Sequence, residues 1–249
     1  MEAQNLGKSN IEIIADAKRS FKGQWGAFIV AMLISMLVLG VVIMAFAVVE
    51  MIILSVLALV FSGFLVGIFM LLLGTIFLVF ILVIQGKLWV WQTNYVLETS
   101  KGNRPSLSSL KDIFTDFDSI EKLKALPQRK EELLKLLFPA LTMIIMGVGI
   151  ALGFVLLILP GILLSYMWSQ VAFLVAENPE RSPLNQLKLS AQMMDGHKMK
   201  LFWCYFRLMP LFFLCLLPFG LGMIWLGPFM SFLGAEFFKN VKEVYSPKI

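Results

Sequence analysis

The stretch Leu136–Glu177 constrains the fold more than any other part of the chain, because one short break divides it into two apolar segments. Residues 137–159 and 162–177 are almost entirely apolar, and Pro160-Gly161 stands between them. A helix that crosses the hydrocarbon core of a membrane, ~30 Å thick, needs about 20 apolar residues, so the first segment is long enough and the second is slightly short. Proline lacks a backbone donor and glycine adopts unusual dihedrals, so Pro160 and Gly161 mark the predicted turn of a transmembrane hairpin.

The composition excludes a soluble globular protein. Of 249 residues, 59% are hydrophobic and 15% are charged, and the mean hydropathy is +0.86, whereas soluble domains are about half apolar and about a quarter charged. We therefore expect one polytopic, all-α membrane domain with small polar loops. Cys204 and Cys215 lie in an apolar run without the spacing of a disulfide framework or a metal site, and we expect both to be buried thiols.

Residues 26–85 form an apolar run that is too long for one membrane span. Two long helices or three of ordinary length would fit it. Basic residues cluster on both sides of the run, at residues 8–22 and 87–135. Because cationic flanks stay in the cytoplasm, an even number of crossings is required. We expect two, with the outer turn between Val48 and Gly63.

Glu50 has two interpretations that depend on the position of this turn. At the turn it is a solvated carboxylate, which is the interpretation we favour. If the turn lies near Ser62-Gly63, Glu50 falls inside a long helix and becomes an intramembrane carboxylate, which by default suggests a functional site. Where the second helix leaves the membrane, Trp89, Trp91 and Tyr95 are predicted to form an aromatic belt.

The remaining apolar sequence predicts a third pair of spans, at about 201–217 and 221–238, divided at Pro218-Phe219-Gly220. None of the proposed outer turns contains lysine or arginine, so both termini are predicted to be cytoplasmic. The predicted architecture has six transmembrane helices in three hairpins with cytoplasmic interfacial amphipathic helices. Its parts are an interfacial helix (1–25), a first hairpin (26–98), a cytoplasmic loop (99–135), a second hairpin (136–177), a second loop (178–200), a third hairpin (201–238) and a tail (239–249).

Three cytoplasmic segments have the pattern of amphipathic helices. The first begins with a capping box at Ser9 and Glu12, and we expect it to lie at the membrane surface, although an ordinary helix packed against the other loops is the alternative. The expected apolar positions are, in the first segment, Ile11, Ile14, Phe21 and Trp25; in the second, Leu107, Leu110, Phe114, Phe117, Ile120 and Leu123; and in the third, which Ser182-Pro183 begins and Gly196 ends, Leu184, Leu187, Ala191 and Met194.

The second and third hairpins resemble each other in sequence. Phe-Leu-x-Ala-Glu occurs at 173–177 and again at 232–236, each time twelve residues after a glycine that follows a proline. Glu177 and Glu236 therefore end the second helix of their hairpins, as Glu98 does in the first pair. This likeness supports an internal repeat in which the hairpins keep the same orientation.

No motif predicts an enzyme, a cofactor or a metal site, since P-loop, HExxH and GxSxG patterns are absent. The one histidine, His197, lies between Gly196 and Lys198, where we expect a helix end at the lipid headgroups. Arg207 is predicted to snorkel to the interface, and the alternative is an ion pair with Glu177 or Glu236. Ser165, Tyr166 and Gln170 give the fourth span a modest polar face, either as contacts between helices or as the wall of a narrow cavity.

Several short motifs of the C-terminal third resemble an uncharacterised family of bacterial integral membrane proteins, which is known by a domain-of-unknown-function number and is common in Gram-positive organisms. The matching residues are Leu157–Ile162 around Pro160-Gly161, Tyr166, Glu177-Asn178-Pro179, Ser190, Met194, Gly196-His197-Lys198, Leu201-Phe202, Gly227-Pro228 and Glu236-Phe237-Phe238. Leu208-Met209-Pro210 departs from the aromatic, glycine-containing stretch usual in the family. The resemblance implies a bacterial plasma-membrane protein and brings no known activity, substrate or catalytic residue.

These observations favour a non-enzymatic membrane protein whose basic cytoplasmic face binds anionic lipid headgroups or a membrane protein partner, as an accessory subunit or a protective, immunity-type factor. Nucleic acid is not expected as a partner, because the basic residues border apolar spans. The competing hypothesis is a small transporter or channel with a path between the hairpins that uses Glu50, Tyr166, Gln170 and Arg207.

Overall fold

The computed structural model describes residues 7–61, 63–105, 129–217 and 222–245, and these ranges contain helices and no strand. The prediction of an all-α fold is confirmed. The helices are α1 (Asn10–Phe21), α2 (Trp25–Val60), α3 (Gly63–Ser100), α4 (Arg129–Leu156), α5 (Ile158–Met167), α6 (Val171–Glu177), α7 (Pro183–Met193), α8 (Lys198–Phe206), α9 (Met209–Leu216) and α10 (Met223–Tyr245).

Four segments of the described chain are long and apolar enough to cross a membrane: Trp25–Leu59, Gly63–Ser100, Leu137–Leu156 and Ile158–Glu177. The pair α8 and α9, bent by 41°, makes a fifth if it counts as one span. The predicted sixth span corresponds to α10, which is not among them. Its second half holds charged residues, and most of its length is buried among other helices.

The apolar run at 26–85 forms two long helices, as expected, but Glu50 does not lie at the turn between them. Helix α2 continues to Val60 and α3 begins at Gly63. The favoured interpretation of Glu50 as a turn residue is therefore wrong. No proline or glycine lies between Gly40 and Ser62 to end the helix earlier.

The break in the second pair lies at Leu157, three residues before the predicted turn at Pro160-Gly161. Leu157 is extended (φ −163°, ψ 146°), and Pro160 falls in the first turn of α5, where a missing N–H costs nothing. Gly161 instead permits close packing, because a Cβ on it would lie 2.5 Å from Cγ of Phe154. Gly153 similarly faces Gly161, so α4 and α5 fold back on each other at close range.

Helix α10 lies at the centre of the core. Phe229, Phe232, Phe237 and Phe238 are fully buried, and α1, α2, α3, α7 and α9 pack against this helix. Because burial of a large apolar side chain contributes about 1.5–3 kcal/mol, this aromatic row is a main source of stability in the core.

Helix α1 begins at the predicted capping box, which is confirmed: Ser9 Oγ accepts from the Glu12 N–H, and Glu12 Oε2 accepts from the Ser9 N–H. Its buried face differs from the prediction. Ile13, Ala17 and Phe21 are buried against the core, whereas Ile11 and Trp25 are exposed. The helix thus packs along α10, because Phe21 contacts the rings of Trp225, Phe229 and Phe232.

Trp91 and Tyr95 are buried in the core, so they do not form the predicted aromatic belt. The exposed tryptophans are Trp25, Trp203 and Trp225. In α7, Pro183 occupies the first turn, the Ser182 side chain makes no capping hydrogen bond, and Leu184 is exposed rather than part of an apolar stripe. The predicted helix around Leu107–Leu123 and the turn at Pro218-Phe219-Gly220 lie outside the described residues.

Candidate functional site at the charged end of the bundle

Three glutamates that the sequence places at helix ends each have a lysine partner. Lys101 Nζ lies 2.8 Å from Glu98 Oε1, and Lys239 Nζ lies 3.0 Å from Glu236 Oε2. Both pairs join residues three apart on the chain, which places their side chains on one helix face. These carboxylates are therefore each neutralised by a lysine. Glu177 ends α6 as predicted, but α10 continues to Tyr245, so the prediction that Glu236 ends its helix is wrong.

Glu236 is the most buried of the three, with 5% of its side chain exposed. Its Oε1 accepts a 2.5 Å hydrogen bond from Ser20 Oγ in α1. Lys239 also donates a 2.6 Å hydrogen bond to the carbonyl of Ser100 at the end of α3. This network joins α1, α3 and α10, and a buried charge of this kind is tolerated only when it is paired and hydrogen-bonded.

Glu177 is paired with Lys242, whose Nζ lies 2.6 Å from Oε2 and 2.7 Å from Oε1. The rings of Phe173 and Phe238 stack with their centroids 5.3 Å apart and join α6 to α10 next to the Glu177–Lys242 ion pair. The alternative in which Arg207 pairs with Glu177 or Glu236 is therefore wrong. Arg207 is exposed between α8 and α9, away from both carboxylates.

The outer face of α1 is basic. Lys18, Arg19 and Lys22 are exposed, and Arg19 Nη1 contacts Asp16 Oδ1 at 3.3 Å. Lys8 Nζ donates a 2.9 Å hydrogen bond to Asp16 as well, and this contact raises the pKa of Lys8. In the described part of the chain, neither Lys18 nor Lys22 has an acidic partner.

A second polar group lies at the break between α5 and α6. Gln170, with 1% of its surface exposed, donates from Nε2 to Ser169 Oγ at 3.0 Å, and its buried Oε1 has no partner among the described residues. The carbonyls freed by the break are satisfied, since Ser169 Oγ donates to Tyr166 O and Ser190 Oγ to Met167 O. The ring of Tyr166 meets that of Phe202 in α8.

His197 lies directly before α8 and is buried, so its ring does not face outward. Its Nδ1 is 3.0 Å from the carbonyl oxygen of Asp195, and Nε2 is buried without a partner in the described structure. Gly196 has φ +76° and allows the chain to turn into α8. Lys198 begins that helix with a half-exposed side chain.

The other candidate residues lie apart from these groups. Glu50 is half-buried in the apolar helix α2, and Pro228 is buried inside α10. Within the described ranges, no group of three or more His, Cys, Asp or Glu side chains is placed to hold a metal ion. The structure thus brings Tyr166 and Gln170 together and leaves Glu50 and Arg207 separate from them.

Sequence reasoning missed the lysine partners of the glutamates and the role of Ser20. The spacing of Glu98 and Lys101, and of Glu236 and Lys239, was a usable signal, because side chains three apart are neighbours on a helix. The contact from Ser20 to Glu236 joins residues 216 positions apart, and no local pattern reports such a contact.

No curated protein and no solved structure matches the chain. Residues 136–245 match the family model described as Protein of unknown function (DUF975), and the C-terminal part of this chain is therefore similar to an uncharacterised protein family, as the sequence motifs predicted.

Proposed function

We propose that this chain is a non-enzymatic integral membrane protein of the bacterial plasma membrane, with both termini in the cytoplasm, which binds anionic lipid headgroups through its basic cytoplasmic face. An accessory or protective role would follow from this binding. The bacterial location rests on the resemblance described above.

The distribution of charge supports the orientation. Residues 23–86, 136–180 and 208–238 contain no lysine or arginine, and they include the breaks between α2 and α3, between α4 and α5, and between α9 and α10. Most cationic residues of the described chain therefore lie at the opposite end of the bundle from these breaks, with Lys87 in α3 and Arg207 at the bend between α8 and α9 as exceptions. That asymmetry is typical of a protein whose cationic end stays in the cytoplasm.

The observation that carries the proposal is the outer face of α1. Lys18 and Lys22 are exposed and lack an acidic partner in the described structure, and Trp25 is exposed directly after them. The contacts of Phe21 and Ser20 with α10 hold this face in a fixed orientation. Two exposed ammonium groups without an acidic partner in the described ranges, beside an exposed tryptophan, suit an anionic membrane surface.

The test measures which lipids stay bound to the protein. The protein is reconstituted into equal amounts of phosphatidylcholine and phosphatidylglycerol, extracted gently, and its retained lipids are quantified by mass spectrometry. Each lysine near an anionic surface contributes about 1 kcal/mol, roughly fivefold in affinity, so the double variant Lys18→Gln/Lys22→Gln should lower the retained ratio of phosphatidylglycerol to phosphatidylcholine by about tenfold or more.

The matched control is Lys18→Arg/Lys22→Arg, which keeps both charges on the same helix face and should retain the wild-type ratio. A ratio that is the same in the wild type and in the Gln variant contradicts the proposal. If a protein co-purifies in a way that depends on the same two lysines while the lipid ratio stays constant, the basic face binds a protein and not lipid.

A second function, transport of a small polar solute, is favoured by the break between α5 and α6. Discontinuous membrane helices with polar groups at the break are typical of transporter binding sites. Here the buried Oε1 of Gln170 lacks a partner in the described structure. Helix α8, which is bent relative to α9, packs against α5. Glu50 and Arg207 are separate from this group and do not extend it.

Solute release from proteoliposomes tests transport, with ions and small neutral polar solutes inside. If solutes pass through this break, vesicles with the protein should release them faster than protein-free vesicles. Vesicles with Gln170→Leu should release them no faster than protein-free ones. Ser55→Ala in α2, where the exposed hydroxyl donates to the Ile52 carbonyl away from this break, is the control and should transport normally. Release that equals that of empty vesicles contradicts this function.

A further inference from the structure

The three helix pairs reach very different distances from a common layer in the core. This layer consists of Phe28 in α2, Tyr95 in α3 and Phe232 in α10. The ring of Phe28 lies 5.9 Å from that of Tyr95 and 5.7 Å from that of Phe232. The reach of each pair can be measured from this layer with the helical rise of 1.5 Å per residue.

The α2–α3 hairpin extends furthest. From Phe28 to Val60 the helix is about 48 Å long, and from Tyr95 back to Gly63 it is the same length. The last buried residue of α2 is Ser35 and the first of α3 is Val83, so among the described residues between them none is buried. Over this distal part the two helices contact each other, as the stacked rings of Phe46 and Phe77 show.

The described parts of the other two pairs reach much less far. Helix α10 extends only about 14 Å from Phe232 back to Met223, where a Cβ on Gly222 would lie 2.7 Å from Cα of Cys215 in α9. In the second pair, Phe173 stacks on Phe238, and the distance along the helices from Phe173 back to Ile158 is at most about 23 Å. Measured along α3, Val171 packs beside Trp89 about 9 Å beyond Tyr95, so the second pair reaches at most about 29 Å, and the long hairpin extends roughly 20 Å beyond it and further beyond the described part of the third pair.

The thickness of the bilayer decides where the short pairs end. The hydrocarbon core is about 30 Å thick, and a tilt of 40°, the upper end of the usual range, lets it cover about 39 Å of helix. If the short pairs reached the far surface, the tip of the long hairpin would stand in water. Leu59 and Phe64 there are 86% and 78% exposed, and each such side chain costs about 1.5–3 kcal/mol in water.

The turn of the second pair also suits hydrocarbon. Val155, Leu157 and Leu159 are 81%, 69% and 72% exposed, and no charged residue occurs between Lys135 and Glu177. The backbone at the break remains partly paired, since the Leu157 N–H donates to the Gly153 carbonyl and the Gly161 N–H to that of Leu157. Pro160 has no N–H to satisfy, which lowers the cost of placing this turn in lipid.

We propose that only the α2–α3 hairpin crosses the bilayer, that the pair α4 with α5–α6 re-enters the cytoplasmic leaflet and ends among its acyl chains, and that the described parts of α8–α9 and α10 stay on the same side. The partner of the re-entrant pair is thus the hydrocarbon of one leaflet, and the protein occupies more area in that leaflet than in the outer one. All chain ends stay on one side, so the proposed orientation is kept while the six predicted crossings are reduced to two. The break between α5 and α6 then lies in one leaflet, so this arrangement and the transport function exclude each other. The inference does not depend on anionic headgroups.

Single cysteines in a Cys204→Ala/Cys215→Ala background test this arrangement. Phe61→Cys marks the long turn, Leu157→Cys and Leu159→Cys mark a short turn, and Lys22→Cys marks the cytoplasmic side. All four side chains are exposed, so the substitutions leave the core intact, and thermal melting checks that each variant is folded. An impermeant maleimide is added to intact cells and, separately, to inverted vesicles.

Phe61→Cys should react in intact cells, and Lys22→Cys should react only in inverted vesicles. From either side, Leu157→Cys and Leu159→Cys should react at least tenfold more slowly than the exposed cysteine on that side. A bimane probe on Leu157→Cys should be quenched by nitroxide groups within the acyl chains. The proposal is overturned if Leu157→Cys and Leu159→Cys react from outside at the rate of Phe61→Cys, or if they react rapidly from inside. It is also overturned if Phe61→Cys does not react from outside.

Discussion

The hydroxyl of Ser20 in α1 donates a 2.5 Å hydrogen bond to the carboxylate of Glu236 in α10. Lys239 approaches the other oxygen of that carboxylate at 3.0 Å and also binds the last carbonyl of α3. One buried carboxylate thus joins the N-terminal helix, the long hairpin and the central helix at the charged end of the bundle.

Loss of this carboxylate should destabilise the protein strongly. Glu236→Ala leaves Lys239 without its ion-pair partner, and removal of one member of a buried pair costs about 3–5 kcal/mol. Ser20→Ala removes a single hydrogen bond to the same group and should cost about 1–3 kcal/mol. Thermal unfolding in detergent measures both changes. Glu98→Ala is the control, because the Glu98 carboxylate is more exposed, and it should cost less than about 1 kcal/mol. Equal effects of Glu98→Ala and Glu236→Ala would refute the role of burial.

Gly161 should be sensitive to the smallest side chain. In Gly161→Ala the new methyl group lies 2.5 Å from Cγ of Phe154, so α4 and α5 must separate, at a cost of about 1–3 kcal/mol. Gly147 of α4 faces open space, and Gly147→Ala should be neutral or stabilising by up to about 1 kcal/mol, because alanine favours helix. Thermal unfolding of both variants checks the contrast, and similar melting temperatures would show that the two helices do not pack at this distance.

The first turn of α1 should loosen in acid. The Ser9 N–H donates a 2.7 Å hydrogen bond to the Glu12 carboxylate, and this bond holds the pKa of Glu12 below its ordinary value of 4.5. Because the folded-state pKa is lowered, the contribution is present above pH 4.5 and is lost as the pH falls through the folded-state pKa. Hydrogen exchange at residues 12–14, corrected for intrinsic rates, should show falling protection in that range. In Glu12→Gln the protection should not change with pH there; a wild type that behaves in the same way would contradict the capping box as its cause.

Gln170 should limit the stability of the folded protein. Its Oε1 is buried without a partner in the described structure, and an unsatisfied buried acceptor costs about 1–3 kcal/mol. Gln170→Met keeps the volume and removes this group, so we expect unfolding at a higher temperature. Gln186→Met is the comparison: Gln186 Oε1 is also buried without a partner in the described structure, but its Nε2 donates to the carbonyls of Asn178 and Arg181, and the loss of these two hydrogen bonds should leave this variant less stable than Gln170→Met. If Gln170→Met is the less stable of the two, Gln170 is satisfied by a bound water or ligand.

Local sequence was sufficient for the features that depend on residues close together in the chain. The capping box at Ser9 and Glu12, the two long helices in the run at 26–85 and the membrane class of the protein all follow from spacing, breakers and apolar length. The similarity of the C-terminal part to an uncharacterised family was also visible in short motifs. These features persist whatever the rest of the chain does, because helix formation and transfer into lipid act on contiguous segments.

Contacts between distant segments decided the rest. Whether Phe21 or Trp25 is buried depends on which side of α1 meets α10, and the partner of Glu177 is a lysine 65 residues away. The position of the second break also depends on such contacts, because Gly161 is needed for the approach of Phe154 rather than for the turn. The unequal reach of the helix pairs arises in the same way: apolar length says how far a helix can extend, and only packing against its neighbours fixes the level from which it starts.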